Sequence, residues 1–264
     1  MAPFRTVKLS VPKWDITLYI RDMSLSEIQR HVVDWGNKGE PWAEAALVGV
    51  RRSAPRPPGA RFAVGMDGST AGSISAGCVE ADLREHMLAA LGSTPRADPR
   101  IVTYGISDEA ALGVGLACGG EIDVLIRCHE PGEPVWARLP ALLAAAACSQ
   151  ARGALLTGLS PGILGLQRLL PSEGSPVGTW GDAALDRMVP GPTEDLLVRE
   201  GSEALDLGSG HRVFVDRVLP PRRLLIVGAT PVAASLAAMA PGVGYRATVV
   251  DPRPVLAESP GFEG

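Results

Sequence analysis

The chain is short of cysteine, of excess basic charge and of long apolar runs, and each shortage excludes something. Its four cysteines are widely spaced with no Cys-x-x-Cys pair, so neither a disulfide framework nor a structural zinc site is expected. Lysine and arginine total 25 against 29 acidic residues, a formal charge of -4. That balance gives no electrostatic case for nucleic acid. The most apolar stretch, residues 139–148, is too short to span a bilayer. No long apolar run follows the first basic residues, so no secretory leader is expected. Free thiols without a leader point to the cytoplasm. What is present is ordinary for a globular protein, 46% apolar and 20% charged residues in a chain of 264. That is enough for a sizeable core and one or two domains.

Hydrophobic spacing lays out two α/β units with a link between them. Residues 1–23 read as an N-terminal extension, with a short strand at 16–20. Ser24 and Glu27 form a capping-box pair. Leu25, Ile28, Val32 and Trp35 follow at helical spacing, and Gly36 or Gly39 ends the helix. Strands are expected at 45–50, 61–66, 72–75, 100–104 and 120–128, with a hairpin turn at Asp67-Gly68 and a helix at 78–91. In the strand at 120–128, Ile122, Val124, Ile126 and Cys128 form one buried face. A helix at 136–150, with Pro140 in its first turn, and strands at 154–159 and 212–218 carry the unit to residue 219. Residues 160–201 are rich in Gly, Pro and Ser and weakly periodic, and Pro220-Pro221 is a linker.

The segment 220–264 starts like a dinucleotide-binding βαβ unit. A buried strand at 223–227 leads to Gly228, a helix at 232–239 and a second strand at 247–250. Asp251 lies at the spacing of a ribose-binding acid. Only the first glycine of the fingerprint is present, so tight NAD or NADP binding is not expected.

Two loops carry the chemistry. Residues 72–80 deliver Cys78 to the start of a helix through small residues, and Cys118-Gly119-Gly120 precedes a strand. Small residues before a helix leave its first N–H groups open to an anion, and a thiol there gains thiolate character. Thiolates are soft metal ligands and sulfur nucleophiles. The pair suggests a site for a large anionic ligand that contains metal or sulfur.

Three ordered motifs resemble the xanthine dehydrogenase accessory factors, the XdhC/CoxI family. The first is the turn from Arg52 through Ala60, with Ser53, Pro55, Arg56 and Gly59. The second is Gly68 through Glu80, and the third is Cys118 through Val124. Val249-Val250-Asp251-Pro252-Arg253 resembles the second strand of that family's Rossmann-like domain. The resemblance implies an α/β protein: a mixed XdhC-like domain with its connecting region at 24–219, then a truncated Rossmann-like segment at 220–264. It implies binding of the molybdenum cofactor, carried while its sulfur is installed and then passed to an apo molybdenum hydroxylase. A cysteine desulfurase-type sulfur donor would be a second partner. Expected cofactor-binding residues are Arg52, Arg56, Ser73, Ser75, Gly77, Cys78, Glu80, Cys118, Gly119 and Gly120. Cys78 and Cys118 would contact the molybdenum. Gly228 and Asp251 form a weaker nucleotide-type turn.

The chain departs from the family pattern at Ala76, where a glycine is usual, and a negative φ is expected there. Thr230-Pro231 stands where a Gly-His pair is common. Duller readings stand beside the sharp ones. Cys78 and Cys118 could be small core residues, as Cys128 and Cys148 are expected to be. Arg51, Arg52 and Arg56 could be a solvated loop, and Glu80 could simply suit a helix N-terminus. His129 is expected at a solvated strand end. The runner-up function is an NAD(P)-dependent oxidoreductase, and a third is an inactive paralogue. The incomplete tail would expose apolar faces, so self-association or a protease-sensitive tail is expected.

Overall fold

The computed structural model describes residues 24–105, 119–148, 150–188, 196–197, 201–207 and 210–253. The extension at 1–23, with its expected strand, and Cys118 lie outside the described residues.

Helix α1 (Ser24–Lys38) buries Leu25, Ile28, Val32 and Trp35, the stripe expected from their spacing. It stops where Gly39 takes φ 70° and Glu40 N–H returns to the Trp35 carbonyl at 3.0 Å. There follow β1 (Trp42–Arg51), β2 (Arg61–Gly65), β3 (Thr70–Gly72), α2 (Glu80–Gly92), β4 (Arg100–Tyr104) and β5 (Glu121–His129). The five strands make one antiparallel sheet in the order β3-β2-β1-β5-β4. The Asp67-Gly68 turn joins β2 to β3 as its dipeptide demands.

A second unit contains α3 (Pro134–Ala147), β6 (Gly153–Gly158), β7 (Gln167–Pro171), α4 (Ala183–Met188), β8 (Ser202–Asp206) and β9 (Arg212–Val218). Its sheet is antiparallel, in the order β7-β6-β9-β8. Strand β7 falls inside the stretch read as merely weakly periodic, and β8 follows directly after it. Their polar residues broke the pattern, yet those residues are satisfied across the fold. Gln167 of β7 accepts from Trp136 Nε1 at 2.8 Å, and Glu203 of β8 accepts from Arg217 of β9 at 2.5 Å.

The first sheet is buried on both faces. On one, Ala43, Ala45, Leu47, Phe62, Val64, Ile122, Val124 and Ile126 meet Leu83, Met87 and Leu91 of α2. On the other, Ala46, Val48 and Leu125 meet Phe214 of β9, and Trp42 and Ala63 join α1, α3 and the second sheet. Each large apolar side chain buried this way contributes roughly 1.5–3 kcal/mol.

Charged residues cross that second interface. Arg61 of β2 is fully buried between Glu44 of β1 and Asp216 of β9. His129 corrects the expectation of a solvated strand end, for it is 0% exposed. It stacks on Trp42 with ring centroids 4.0 Å apart. Its ring nitrogens lie 3.0 Å from Glu44 and 3.1 Å from Glu133. The cause is tertiary: α3 starts just after β5 and brings Trp136 edge-on over the ring. Cys148 is a second correction. The helix ends at Ala147, and the thiol is exposed rather than core. Cys128 is half-buried against the α2-side core, and burial pushes its thiol pKa up.

The last unit is β10 (Arg222–Val227), α5 (Pro231–Met239) and β11 (Tyr245–Val250), with the two strands parallel. Ile226 and Val249 pack with Ala229, Ala233 and Ala237 under the helix. The opposite face of β10 is open: Leu225 is 64% and Val227 74% exposed.

Candidate functional site

The antiparallel order of the first sheet decides where the motifs go. The C-terminal ends of β1, β3 and β4 and the N-terminal end of β5 all lie at one end of the sheet. Arg51 pairs with Glu121, and Tyr104 with Ile122. The loop after β3 climbs to the same end, because Asp82 in the first turn of α2 accepts from the Tyr104 hydroxyl at 2.6 Å. Burial and Asp82 together push the Tyr104 phenol pKa well above its ordinary value. So the turn after β1, the loop into α2 and the glycines before β5 come together, though they are dispersed over some seventy residues of sequence (Arg51 to Glu121, 70 apart).

Gly120 sets the closest of these approaches. A Cβ there would lie 1.5 Å from the Ser53 carbonyl oxygen, so only glycine lets the two turns touch.

The loop before α2 is wound around one carboxylate. Glu80 Oε1 accepts from the Ser73 hydroxyl at 2.7 Å and from the Ile74 and Ser75 N–H groups at 2.9 and 2.8 Å. Its Oε2 accepts from the Ser75 hydroxyl at 2.6 Å and from the Gly77 and Val79 N–H groups at 2.9 and 3.2 Å. The Ser73 and Ser75 oxygens in turn accept from Ala76 N–H at 3.0 Å and Cys78 N–H at 2.9 Å. Burial opposes ionisation of Glu80, but the two hydroxyls and the Ser75 N–H outweigh it and hold the pKa down at about 2. This wrapping forces Ala76 to φ 59°, a correction to the negative φ expected of a non-glycine residue. Gly77 follows at φ 113°.

Cys78 is half-buried and packs against the α2-side core, as do Val50 and Ala54. The three arginines of the β1 turn differ. Arg51 binds Asp123 through two nitrogens, at 2.6 and 3.0 Å, and also pairs with Glu121. Arg56 pairs with Glu27 of α1 at 2.6 Å. Arg52 is exposed, has φ 68°, and makes no hydrogen bond or ion pair among the described residues. Sequence reasoning missed Asp82 and Tyr104. The one signal was that Asp82 follows Cys78 by four positions, one helical turn.

The glycine turn before α5 is also filled from within. Gly228 N–H bonds to the Val250 carbonyl at 2.8 Å, and Asp251 accepts from Ala229 N–H at 2.8 Å. Thr230 caps the helix by accepting from Ala233 N–H at 3.2 Å, and Pro231 has no N–H to give. Asp251 also binds the Arg253 backbone and guanidinium, each at 2.9 Å, which lowers its carboxyl pKa well below the usual range. The acid assigned to a ribose is thus the peg of its own turn.

Among the described residues, no cluster of His, Cys, Asp and Glu is arranged to hold a metal ion, and no helix is long and apolar enough to cross a membrane.

Residues 35–105 match the XdhC and CoxI family. That span takes in the first two motifs, and the resemblance read from the motifs is borne out there. A xanthine dehydrogenase from Bacillus halodurans, solved by crystallography, shares the fold: 24% identity and a TM-score of 0.60, over 89% of this chain and 65% of that one. This chain therefore spans about two thirds of the length of that neighbour. The α/β class expected from the sequence agrees with it. No curated protein matches the chain.

Proposed function

We propose that this protein is a maturation factor for a molybdenum hydroxylase of the xanthine or carbon monoxide dehydrogenase type. It would carry the molybdenum cofactor as cargo and hand it to the apo-enzyme, with no turnover of its own. The observation that supports this best is the meeting of the three motif loops at one end of the first sheet. There they offer a half-buried thiol at Cys78, glycine backbone at Gly77, Gly119 and Gly120, and a guanidinium at Arg52 that has no partner among the described residues.

These donors suit an anionic, sulfur-rich pterin. A thiolate is a soft ligand, glycine backbone admits a flat ring at close range, and guanidinium matches phosphate. The cargo brings an exchangeable ligand on its metal, which a desulfurase-type donor would supply with sulfur. Cys78 would lie against that metal, with Cys118 as a second thiol. Glu80, Ser73 and Ser75 hold the loop that presents Cys78. The cytoplasm is the compartment such a partner set requires.

Purified protein mixed with molybdenum cofactor should retain it through gel filtration, and Cys78→Ala or Cys118→Ala should weaken retention. Equal retention by both variants and the parent would return the thiols to the core. The oxidoreductase reading rests on Gly228 and Asp251. The internal bonding of Ala229, Thr230 and Asp251 argues against it, because a pyrophosphate needs those N–H groups. Micromolar NAD or NADP affinity by calorimetry would restore it.

A further inference from the structure

We infer that the phosphate of the bound ligand docks on Arg52, and that the backbone N–H groups of the loop before α2 are closed to it. This deepens the carrier reading and rests on it.

The closure follows from hydrogen-bond accounting. Every backbone N–H from Ile74 to Val79 already has an acceptor inside the loop, on Glu80, Ser73 or Ser75. Both serine hydroxyls donate to Glu80 as well. A phosphate could bind these donors only by displacing a carboxylate that the loop is built around, and it would meet that carboxylate's charge on arrival. Backbone N–H groups attract anions where they lack partners, and here the loop's groups are partnered.

The arginines differ in how many donors they have left. Arg51 is held by Asp123 and Glu121, and Arg56 by Glu27. Arg84 donates to the Gly68 carbonyl at 3.2 Å, and Arg100 to the His86 carbonyl. Arg212, at the start of β9, makes no side-chain hydrogen bond among the described residues either, but its charge already acts on Asp123; Arg52 keeps its whole donor fork beside the third motif. Its turn is braced where the Ser53 carbonyl rests on Gly120, so the cation stands beside the glycines of the third motif. A guanidinium binds phosphate through two parallel N–H bonds, which gives both strength and orientation.

The probe is metal-free molybdopterin released anaerobically from a denatured molybdenum hydroxylase, compared with the same material after alkaline phosphatase treatment. The parent protein is expected to prefer the phosphorylated form. Arg52→Gln should abolish the preference, weakening binding of the phosphorylated form by roughly tenfold or more, the size of one charge-assisted contact. Arg52→Lys should keep part of it. Arg138→Gln, which removes a charge from the exposed side of α3, should keep all of it. An undiminished preference in Arg52→Gln overturns the assignment, and so does a parent that binds both forms equally, with the carrier reading left standing. A parent that binds neither form sinks the carrier reading itself.

Discussion

The two glycine turns of this chain, before α2 and before α5, are built alike and seated differently. Each precedes a helix N-terminus, and each is filled by a carboxylate of the chain, Glu80 in one and Asp251 in the other. Before α2 the acid is the first residue of the helix and the whole loop winds around it. Before α5 the acid comes from the end of the next strand and ties strand, turn and Arg253 together. Helix α2 then lies on a sheet buried on both faces, whereas β10 shows one face to solvent. Filling of the turn is thus a local matter, and stability is a property of what the helix covers.

That comparison can be broken at several points. The largest effect is expected at the seam behind the first sheet. Arg61→Ala leaves Glu44 and Asp216 buried without their cation, and should cost about 3–5 kcal/mol in urea unfolding. A loss under 1 kcal/mol would mean that the charges are dispensable to the joint. Next, Leu83→Ala opens a cavity between α2 and the sheet and should cost about 2–5 kcal/mol, read from the denaturant midpoint.

Glu80→Gln should cost roughly 2 kcal/mol at neutral pH, because an amide cannot accept all the bonds the carboxylate accepts. The folded pKa of Glu80, about 2, lies below its ordinary 4.5, so the contribution is present above pH 4.5 and fades as pH falls toward 2. Parent and variant should therefore converge in acid. A constant difference across that range would show that the charge of Glu80 is not what holds the loop.

The smallest effect is expected on the open face. Leu225→Ala should change stability by less than about 0.5 kcal/mol, since the side chain is 64% exposed. If light scattering shows a dimer that this substitution dissociates, the face is covered in solution and the contrast between the two units narrows.

Much of the first sheet was legible from local pattern. The helical stripe of α1, the Asp67-Gly68 hairpin and the alternation of Ile122, Val124 and Ile126 all emerge as expected. Strand β7 was not legible, because Gln167 and Arg168 sit where an apolar alternation would be sought. At the candidate site, the cysteine and glycine motifs could be read, but the roles of the arginines could not. Arg51, Arg52 and Arg56 look equivalent in sequence, and only the placement of Asp123 and Glu27 tells them apart.

The periods of strand and helix, the turns that glycine permits and the three motifs that carry the family resemblance are all encoded locally. These depend on residues within a few positions of one another, where backbone sterics and side-chain spacing act. The packing of distant segments places the motif loops at one end of a sheet and buries His129 between two glutamates. Those outcomes depend on partners far apart in the chain, such as Arg61 and Asp216 at a separation of 155 residues and Glu44 and His129 at 85. Burial and charge pairing are set by which surfaces meet, and no local pattern encodes that meeting.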